Sequence, residues 1–372
     1  MGDAGMVEAR GVVIPATGAP AHIEPIVVDA PGPGEVLVRV VANGICHSDL
    51  WAIANGNWGA PFPMLLGHEG AGVVEGVGEG VAHVATGDAV LLAWAVPCGA
   101  CDACARGRPR RCDHAWEQPP RIATAEGARL VGTLSIGSLA THTVVHGAQV
   151  LRVPKGLDLV QACLLGCGAS TGIGAAVNTA PVREGDTVAV IGLGGIGLSA
   201  LQGARLAGAS RLIAIDRVAA KLEIAERLGA TDLIDAIVED PAEAVRARTD
   251  GGVDVSFEAT GNAAVVSSAV AMLRRAGTAV AIGVPPPDST VTLDWGEATT
   301  GAAYPTKATL KVTDGGDPLP EDFHDWMAAA IDGRLDLGTM VTVQAPFTDE
   351  ALTEAFRAML AGEVVRTVIR FD

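Results

Sequence analysis

Seven cysteines cannot pair evenly, and four of them fall at Cys98, Cys101, Cys104 and Cys112 in the pattern C-x2-C-x2-C-x7-C. Four thiolates on one short loop can surround a tetrahedral Zn2+ with sulfurs at about 2.3 Å. With sulfur in all four positions, neither water nor substrate can enter. Such a site is structural and folds a loop that carries little apolar sequence of its own. The same spacing could hold an iron–sulfur cluster, since thiolates alone do not distinguish the metals. Pro97, Gly99 and Gly107 supply turn chemistry around the cysteines, and Arg106, Arg108, Arg110 and Arg111 are expected as counter-charges for a dianionic centre.

Three further candidates lie far apart in sequence: Cys46, in Gly-Ile-Cys-His-Ser-Asp; His68, in Gly-His-Glu-Gly; and Cys167, in Gly-Cys-Gly. Two thiolates and an imidazole make a three-ligand zinc site with an open fourth position, which is a Lewis-acid arrangement. Spacing alone does not group them, and each could be a buried core residue.

A glycine signature, Gly192-x-Gly194-x-x-Gly197, follows the apolar run 187–191 and opens a helix, with Gly195 and Ile196 expected among the cofactor-binding residues. Glycines there let backbone approach a pyrophosphate at a helix N-terminus. Asp216, about 20 residues onward, ends the next apolar run and suits the adenosine ribose hydroxyls. A carboxylate there would repel a 2′-phosphate and favours NAD, whereas Arg217 beside it weakens that preference.

These residues need two kinds of framework. Residues 12–41 and 65–90 read as short strands broken by turns and glycines, a bent β-rich domain. From 187 onward apolar runs at 187–191, 211–215, 233–234, 253–257 and 278–282 alternate with helical patterns at 198–207, 221–228 and 263–274. That order predicts a doubly wound parallel sheet. The tail returns to mixed sequence, with helices expected at 322–332 and 348–360 and a strand at 364–371. At 372 residues the chain has room for two or three domains, and a net charge of −17 without a basic stripe argues against a nucleic-acid or anionic membrane partner. The first residues lack a secretory signal and no apolar run reaches the roughly 20 residues of a membrane span, so a cytoplasmic protein is expected.

Taken in order, the Cys46 and His68 segments, the four-cysteine lobe, Leu165-Gly166-Cys167-Gly168 with Thr171-Gly172, the glycine signature and Arg366-Thr367-Val368 resemble the medium-chain zinc alcohol dehydrogenases over nearly the whole chain. They are most similar to the long-loop alcohol and formaldehyde dehydrogenase classes. The resemblance implies a GroES-like catalytic domain at 1–168 and 312–372, with a structural zinc lobe at about 95–113, and a Rossmann NAD-binding domain at 169–311. It implies catalytic zinc on Cys46, His68 and Cys167, with Glu69 beside the metal and Asp49 fixing the His68 tautomer. Ser48 would take the hydroxyl proton while hydride passes between the alcohol carbon and NAD. His47 and Arg366 match pyrophosphate-contacting positions, Lys221 the adenosine ribose and Thr171 the nicotinamide side, and Val284 joins this cofactor set.

Trp51 departs from the family, where a histidine often passes the proton onward, and indole cannot do this. Trp51, Trp58 and Trp94 would line a pocket for a bulky apolar or aromatic alcohol. Trp116 stands where glutathione-adduct formaldehyde dehydrogenases carry an arginine, which disfavours that substrate type. Residues 312–319 also lack the family's glycine-lysine pattern. Within enzymes the alternatives are a thiol-adduct formaldehyde dehydrogenase or an alcohol/aldehyde dismutase that retains NAD(H). Outside them stands a noncatalytic protein that kept the fold. A homodimer, with a tetramer as a further possibility, is implied through edge pairing of cofactor-domain sheets near 281–286.

Overall fold

The structure is a computed structural model, describing residues 5–56, 61–112, 119–286, 288–293, 307–313 and 315–371. The chain divides into two compact units. The first comprises Met1–Cys167, Leu319–Gly333 and Val341–Asp372, and the second Gly168–Pro318 and Arg334–Met340. Residues 312–318 and 334–340, expected with the first domain, group with the second. Asn178 donates to the Gly316 and Asp317 carbonyls, and the Gln202 carboxamide pairs with both the N–H and C=O of Asp336.

In chain order the first unit supplies β1 (Val7–Ile14), β2 (His22–Val28), β3 (Glu35–Gly44), β4 (Met64–Leu65), β5 (Gly70–Val77), β6 (Ala89–Leu92), β7 (Ile122–Thr124), β8 (Arg129–Gly132), β9 (His142–His146) and β10 (Val150–Arg152). The second supplies β11 (Thr187–Ile191), β12 (Arg211–Asp216), β13 (Asp232–Asp235), β14 (Val253–Glu258), β15 (Leu273–Ala281) and β16 (Thr309–Val312). The tail returns β17 (Val341–Pro346) and β18 (Arg366–Arg370) to the first unit.

Strands β1, β2, β7, β8 and β4 close into a barrel, while β10, β6, β5, β3, β18 and β17 form a sheet in that order, with β9 also paired to β3. Closure leaves few free edges, and valine-rich strands pack the interior. Glycine allows the sharp bend: a Cβ on Gly72 would lie 2.2 Å from the Arg39 carbonyl oxygen. Register then positions chemistry. Asn43 opposes Gly70 across β3 and β5, so the chain leaving β3 toward Cys46 and the chain entering β5 from His68 meet at one end of the sheet. Val368 of β18 opposes Gly44, which brings Arg366 to the same corner.

The second unit is a parallel sheet in the order β13-β12-β11-β14-β15-β16. Helices Gly195–Leu206, Ala219–Arg227, Pro241–Arg248 and Ala263–Ala271 join successive strands. This is the expected doubly wound arrangement. The last of these helices stops short of 274 because Leu273 already begins β15. Strand β15 is paired on both sides, so the edge expected near 281–286 is not one. Among the described residues the sheet ends on that side at β16, where Val312 is 80% exposed. No single helix among the described residues is long and apolar enough to cross a membrane.

At the other edge, Arg211 at the start of β12 grips Asp232 at the start of β13 through two hydrogen bonds of 2.8 and 2.6 Å. The guanidinium holds the Asp232 carboxyl below the usual range. A carboxylate with a depressed folded pKa contributes stability above its unfolded pKa and loses it as pH falls through the folded value. Asp232→Asn is therefore expected to cost up to about 1 kcal/mol at pH 7, this being a partly solvated pair. Denaturant titrations of parent and variant should converge progressively below about pH 4.

Candidate active site and metal centres

Cys46 precedes helix His47–Asn55, His68 lies in the turn before β5, and Cys167 follows the tight turn Cys163–Gly166. Gly166 makes the last placement possible, since a Cβ there would be 2.7 Å from the Leu92 carbonyl oxygen and 3.2 Å from Glu69 Cα. The ligand atoms of Cys46, His68, Glu69 and Cys167 all lie within 4.8 Å of one another, and all four residues are buried. The three expected ligands thus converge. Cys46 is held well below the ordinary thiol range, chiefly by a hydrogen bond from Cys167, while Cys167 is pushed well above it by the same contact and by burial. A divalent cation between the two sulfurs would favour both as thiolates, which is the usual linkage between thiolate ligation and proton release.

His68 is 0% exposed and its Nε2 has no hydrogen-bond partner. On the other side of the ring, Nδ1 lies 3.3 Å from Asp49 Oδ1, whose Oδ2 accepts the Cys46 N–H at 3.0 Å. Asp49 therefore ties both ligands to the first turn of the helix. Burial opposes charging of the ring, but Asp49 and Cys46 outweigh it and raise the His68 pKa. An orphaned imidazole nitrogen between two thiols suits a zinc ion, with an open position for a fourth ligand. Burial pushes the Glu69 carboxyl up to about 7, opposed by the Arg366 guanidinium that donates to its Oε2. Arg366, expected at a pyrophosphate, is only 5% exposed and bound to Glu69. Gly44 leaves room for this pair, as a Cβ there would meet Glu69 Oε2 at 2.1 Å.

Ser48 Oγ lies 3.7 Å from Cys46 Sγ, and Trp51 is half-buried on the same helix, where its carbonyl accepts from Asn55. Trp94 is half-buried beside the donor set: its indole N–H, which has no full hydrogen bond, still acts on Cys167 to oppose that thiol's upward shift. His47 is exposed. Trp58 and Trp116 lie outside the described residues.

In the lobe, the sulfurs of Cys98, Cys101, Cys104 and Cys112 also lie within 4.8 Å of one another. Backbone N–H groups of Ala100 and Cys101 donate to Cys98 Sγ at 3.4 and 3.3 Å, and the first of these leads in lowering its pKa to about 6. Amides aimed at a sulfur favour the thiolate that a metal needs. The lobe arginines do not serve only as counter-charges. Arg110 makes two hydrogen bonds to Asp322, at 2.6 and 3.2 Å, and Arg106 pairs with Asp102 at 2.9 Å. Asp322 clamps the lobe to the tail helix Pro320–Ile331, a long-range contact that local spacing does not reveal.

In the second unit, Gly192 has φ +87° and Gly197 packs against it, since a Cβ on Gly197 would lie 1.8 Å from the Gly192 carbonyl oxygen. Gly194 is different: a Cβ there would meet nothing within 4 Å, which leaves space over the backbone. Gly195 and Ile196 begin helix Gly195–Leu206, whose N-terminus faces this turn. Asp216 Oδ2 accepts the Leu193 N–H at 2.6 Å, and Oδ1 accepts from Arg217 and Val218. The acid thus also braces the glycine turn, a role its spacing did not announce. Arg217 is exposed, Lys221 half-buried, Thr171 buried in helix Gly168–Gly174, and Val284 is 71% exposed.

The model for the alcohol dehydrogenase GroES-like domain matches residues 32–155, and that for the zinc-binding dehydrogenase domain matches residues 195–332. An S-(hydroxymethyl)glutathione dehydrogenase of Photobacterium damsela subsp. piscicida is 38% identical over 376 residues, covering 98% of this chain and 100% of the relative. The chain belongs to the zinc-dependent medium-chain alcohol dehydrogenase family. Among solved structures, an alcohol dehydrogenase zinc-binding domain protein from Burkholderia ambifaria superposes with TM-score 0.90 at 33% identity, covering 99% of this chain and 100% of that one. Benzyl alcohol dehydrogenase from Acinetobacter calcoaceticus gives TM-score 0.88 at 29% identity, covering 98% and 100%.

Both donor sets of this dehydrogenase fit zinc, and each should be separable. Elemental analysis of metal-replete protein is expected to give about two zinc ions per chain, and about one in either Cys46→Ala or Cys104→Ala. Only the second variant should lose substantial thermal stability, because the lobe is held by its ligands. In the glycine turn, Gly197→Ala should destabilise folding by at least about 2 kcal/mol, since its Cβ meets backbone. Gly194→Ala should melt with the parent yet weaken dinucleotide binding by about tenfold or more, as its methyl fills the space above the turn. Thermal melts paired with NADH titrations distinguish these outcomes.

Proposed function

We propose that this family member oxidises a bulky apolar or aromatic primary alcohol to its aldehyde, or runs the reverse reduction, with NAD and one catalytic zinc. The observation that carries the reading is the buried donor set of Cys46, His68 and Cys167 with an orphaned imidazole nitrogen and a tryptophan beside it. Cys46, His68 and Cys167 would hold the zinc, which would make the alcohol hydroxyl more acidic, and the dinucleotide would supply the hydride acceptor. Asp49 keeps the His68 ring oriented. Ser48, next to Cys46, accepts the hydroxyl proton and hands it outward. Trp51 cannot relay it, so the proton leaves through water or the exposed His47. Arg366 neutralises Glu69 and keeps that carboxylate from competing for the metal.

Two features support the substrate class. Trp94 borders the donor set, and a solved relative is a benzyl alcohol dehydrogenase. Asp216 at the end of β12 favours NAD over NADP, as a carboxylate repels a 2′-phosphate. Cysteines gathered as thiol donor sets rather than disulfides suit a reducing cytoplasm. A dimer would form through the β16 edge, which exposes Val312 and Leu310. One observation favours a second substrate: the relative at 38% identity acts, by its name, on S-(hydroxymethyl)glutathione.

Initial rates of NADH formation separate the two. Benzyl-type alcohols are expected to give the higher kcat/KM, by about tenfold or more over S-(hydroxymethyl)glutathione, with NAD preferred to NADP. A preference for the thiol adduct would replace the aromatic reading. Trp94→Ala should raise KM for aromatic alcohols by about tenfold while leaving NAD binding unchanged.

A further inference from the structure

Glu258 ends β14 and is 0% exposed, yet none of the chemistry above uses it. Its Oε1 accepts the Thr260 N–H at 2.6 Å, the Gly261 N–H at 3.1 Å and the Thr260 hydroxyl, whereas Oε2 is buried without a partner. The Thr260 hydroxyl in turn accepts the Asn262 N–H at 3.1 Å, and Asn262 caps the next helix. One carboxylate oxygen therefore organises the whole turn 259–262. Burying an acid with half its acceptors unused is costly, and desolvation raises its pKa against those donors. Such a cost is retained where a turn must be held in one shape.

That turn touches two others. Ala259 N–H donates to the Ile191 carbonyl at 2.8 Å, and a Cβ on Gly192 would lie 2.6 Å from Thr260 Cγ2, so the turn packs directly on the dinucleotide glycine loop. On its far side the Glu258 carbonyl accepts both Ile282 and Gly283 N–H, at 2.8 and 3.1 Å. Gly261 and Gly283 then interlock: a Cβ on Gly283 would be 2.1 Å from Gly261 N, and one on Gly261 2.7 Å from the Val284 oxygen. The two turns thus pack backbone against backbone.

The side of the sheet tells which half of the cofactor is served. A dinucleotide crosses the ends of the parallel strands at β11, with its adenosine half toward the acid that ends β12. Glu258 ends β14, on the opposite side of β11. We propose that Glu258 is a positioning residue that locks turns 259–262 and 282–284 against the glycine loop and thereby sets affinity for the nicotinamide half of the cofactor. The inference rests on the NAD reading above.

The test uses the zinc-loaded full chain and two probes: NADH, followed by its fluorescence, and ADP-ribose, which lacks nicotinamide, followed by calorimetry. Glu258→Ala should weaken NADH by about tenfold and ADP-ribose by less than about threefold. Glu258→Gln, whose Oε1 still accepts the same donors, should stay within about threefold of the parent for NADH. Thr260→Ala deletes the hydroxyl donor together with the Cγ2 that packs on Gly192, both contacts of the proposed lock, and should weaken NADH by about threefold, which gives a second reading if the Glu258→Ala chain does not fold. Equal losses for both probes, a Gln variant as weak as the Ala variant, or unchanged NADH affinity in Thr260→Ala and Glu258→Ala would each overturn the proposal. A parent chain that binds neither probe overturns the NAD reading and this inference together, whereas a parent that binds both leaves the variants to decide this inference alone.

Discussion

Two thiols, an imidazole and a carboxyl are buried within 4.8 Å of one another, and the first unit is built around the cost of doing so. Removing ionised groups from water costs several kcal/mol each, repaid only by well-placed opposite charge and hydrogen bonds. Within the cluster that cost is offset by Cys167 and His68, which favour the Cys46 thiolate, and by Arg366 set against Glu69. A dication among the same atoms does the job better, and leaves one position open. The register of β3 with β5 and β18 and the missing side chains at Gly44 and Gly166 all serve to bring these groups together.

The lobe applies the same physics to a different end. Backbone amides of Ala100 and Cys101 donate to Cys98, whereas in the buried site Cys46 is favoured by Cys167, His68 and Arg366, and the lobe's four sulfurs would fill every position on a metal. One centre holds a loop; the other is available to a substrate. Arg110 and Asp322 join the loop to the tail helix, so the structural centre is anchored to the part of the chain that returns from the second unit.

What could be read in the residues was what is local. Four cysteines within fifteen residues and a glycine signature between an apolar run and a helix carry their own geometry, and both stand where spacing placed them. The open metal site needed a family resemblance, because Cys46, His68 and Cys167 meet only through strand register. Pairings across long separations stayed hidden: Arg366 turned inward onto Glu69, Arg110 was drawn to Asp322, and residues 312–318 and 334–340 joined the second unit through Asn178 and Gln202. The sheet edge was misplaced for a similar reason, since β16 lies far along the chain from β15 and covers it. Glu258 carried no motif at all. Its place shows only in the two turns it bonds, 259–262 through its carboxylate and 282–283 through its carbonyl.

One chain provides two chemically different zinc centres, a closed all-sulfur site and an open site with two sulfurs and an imidazole. Zinc K-edge X-ray absorption on metal-replete protein tests this directly. The expected average is about three sulfurs per zinc at about 2.3 Å, with a lighter shell of nitrogen or oxygen at about 2.0 Å from the open site. An average of about four sulfurs with no lighter shell would contradict it, because the His68 nitrogen would then not be a ligand.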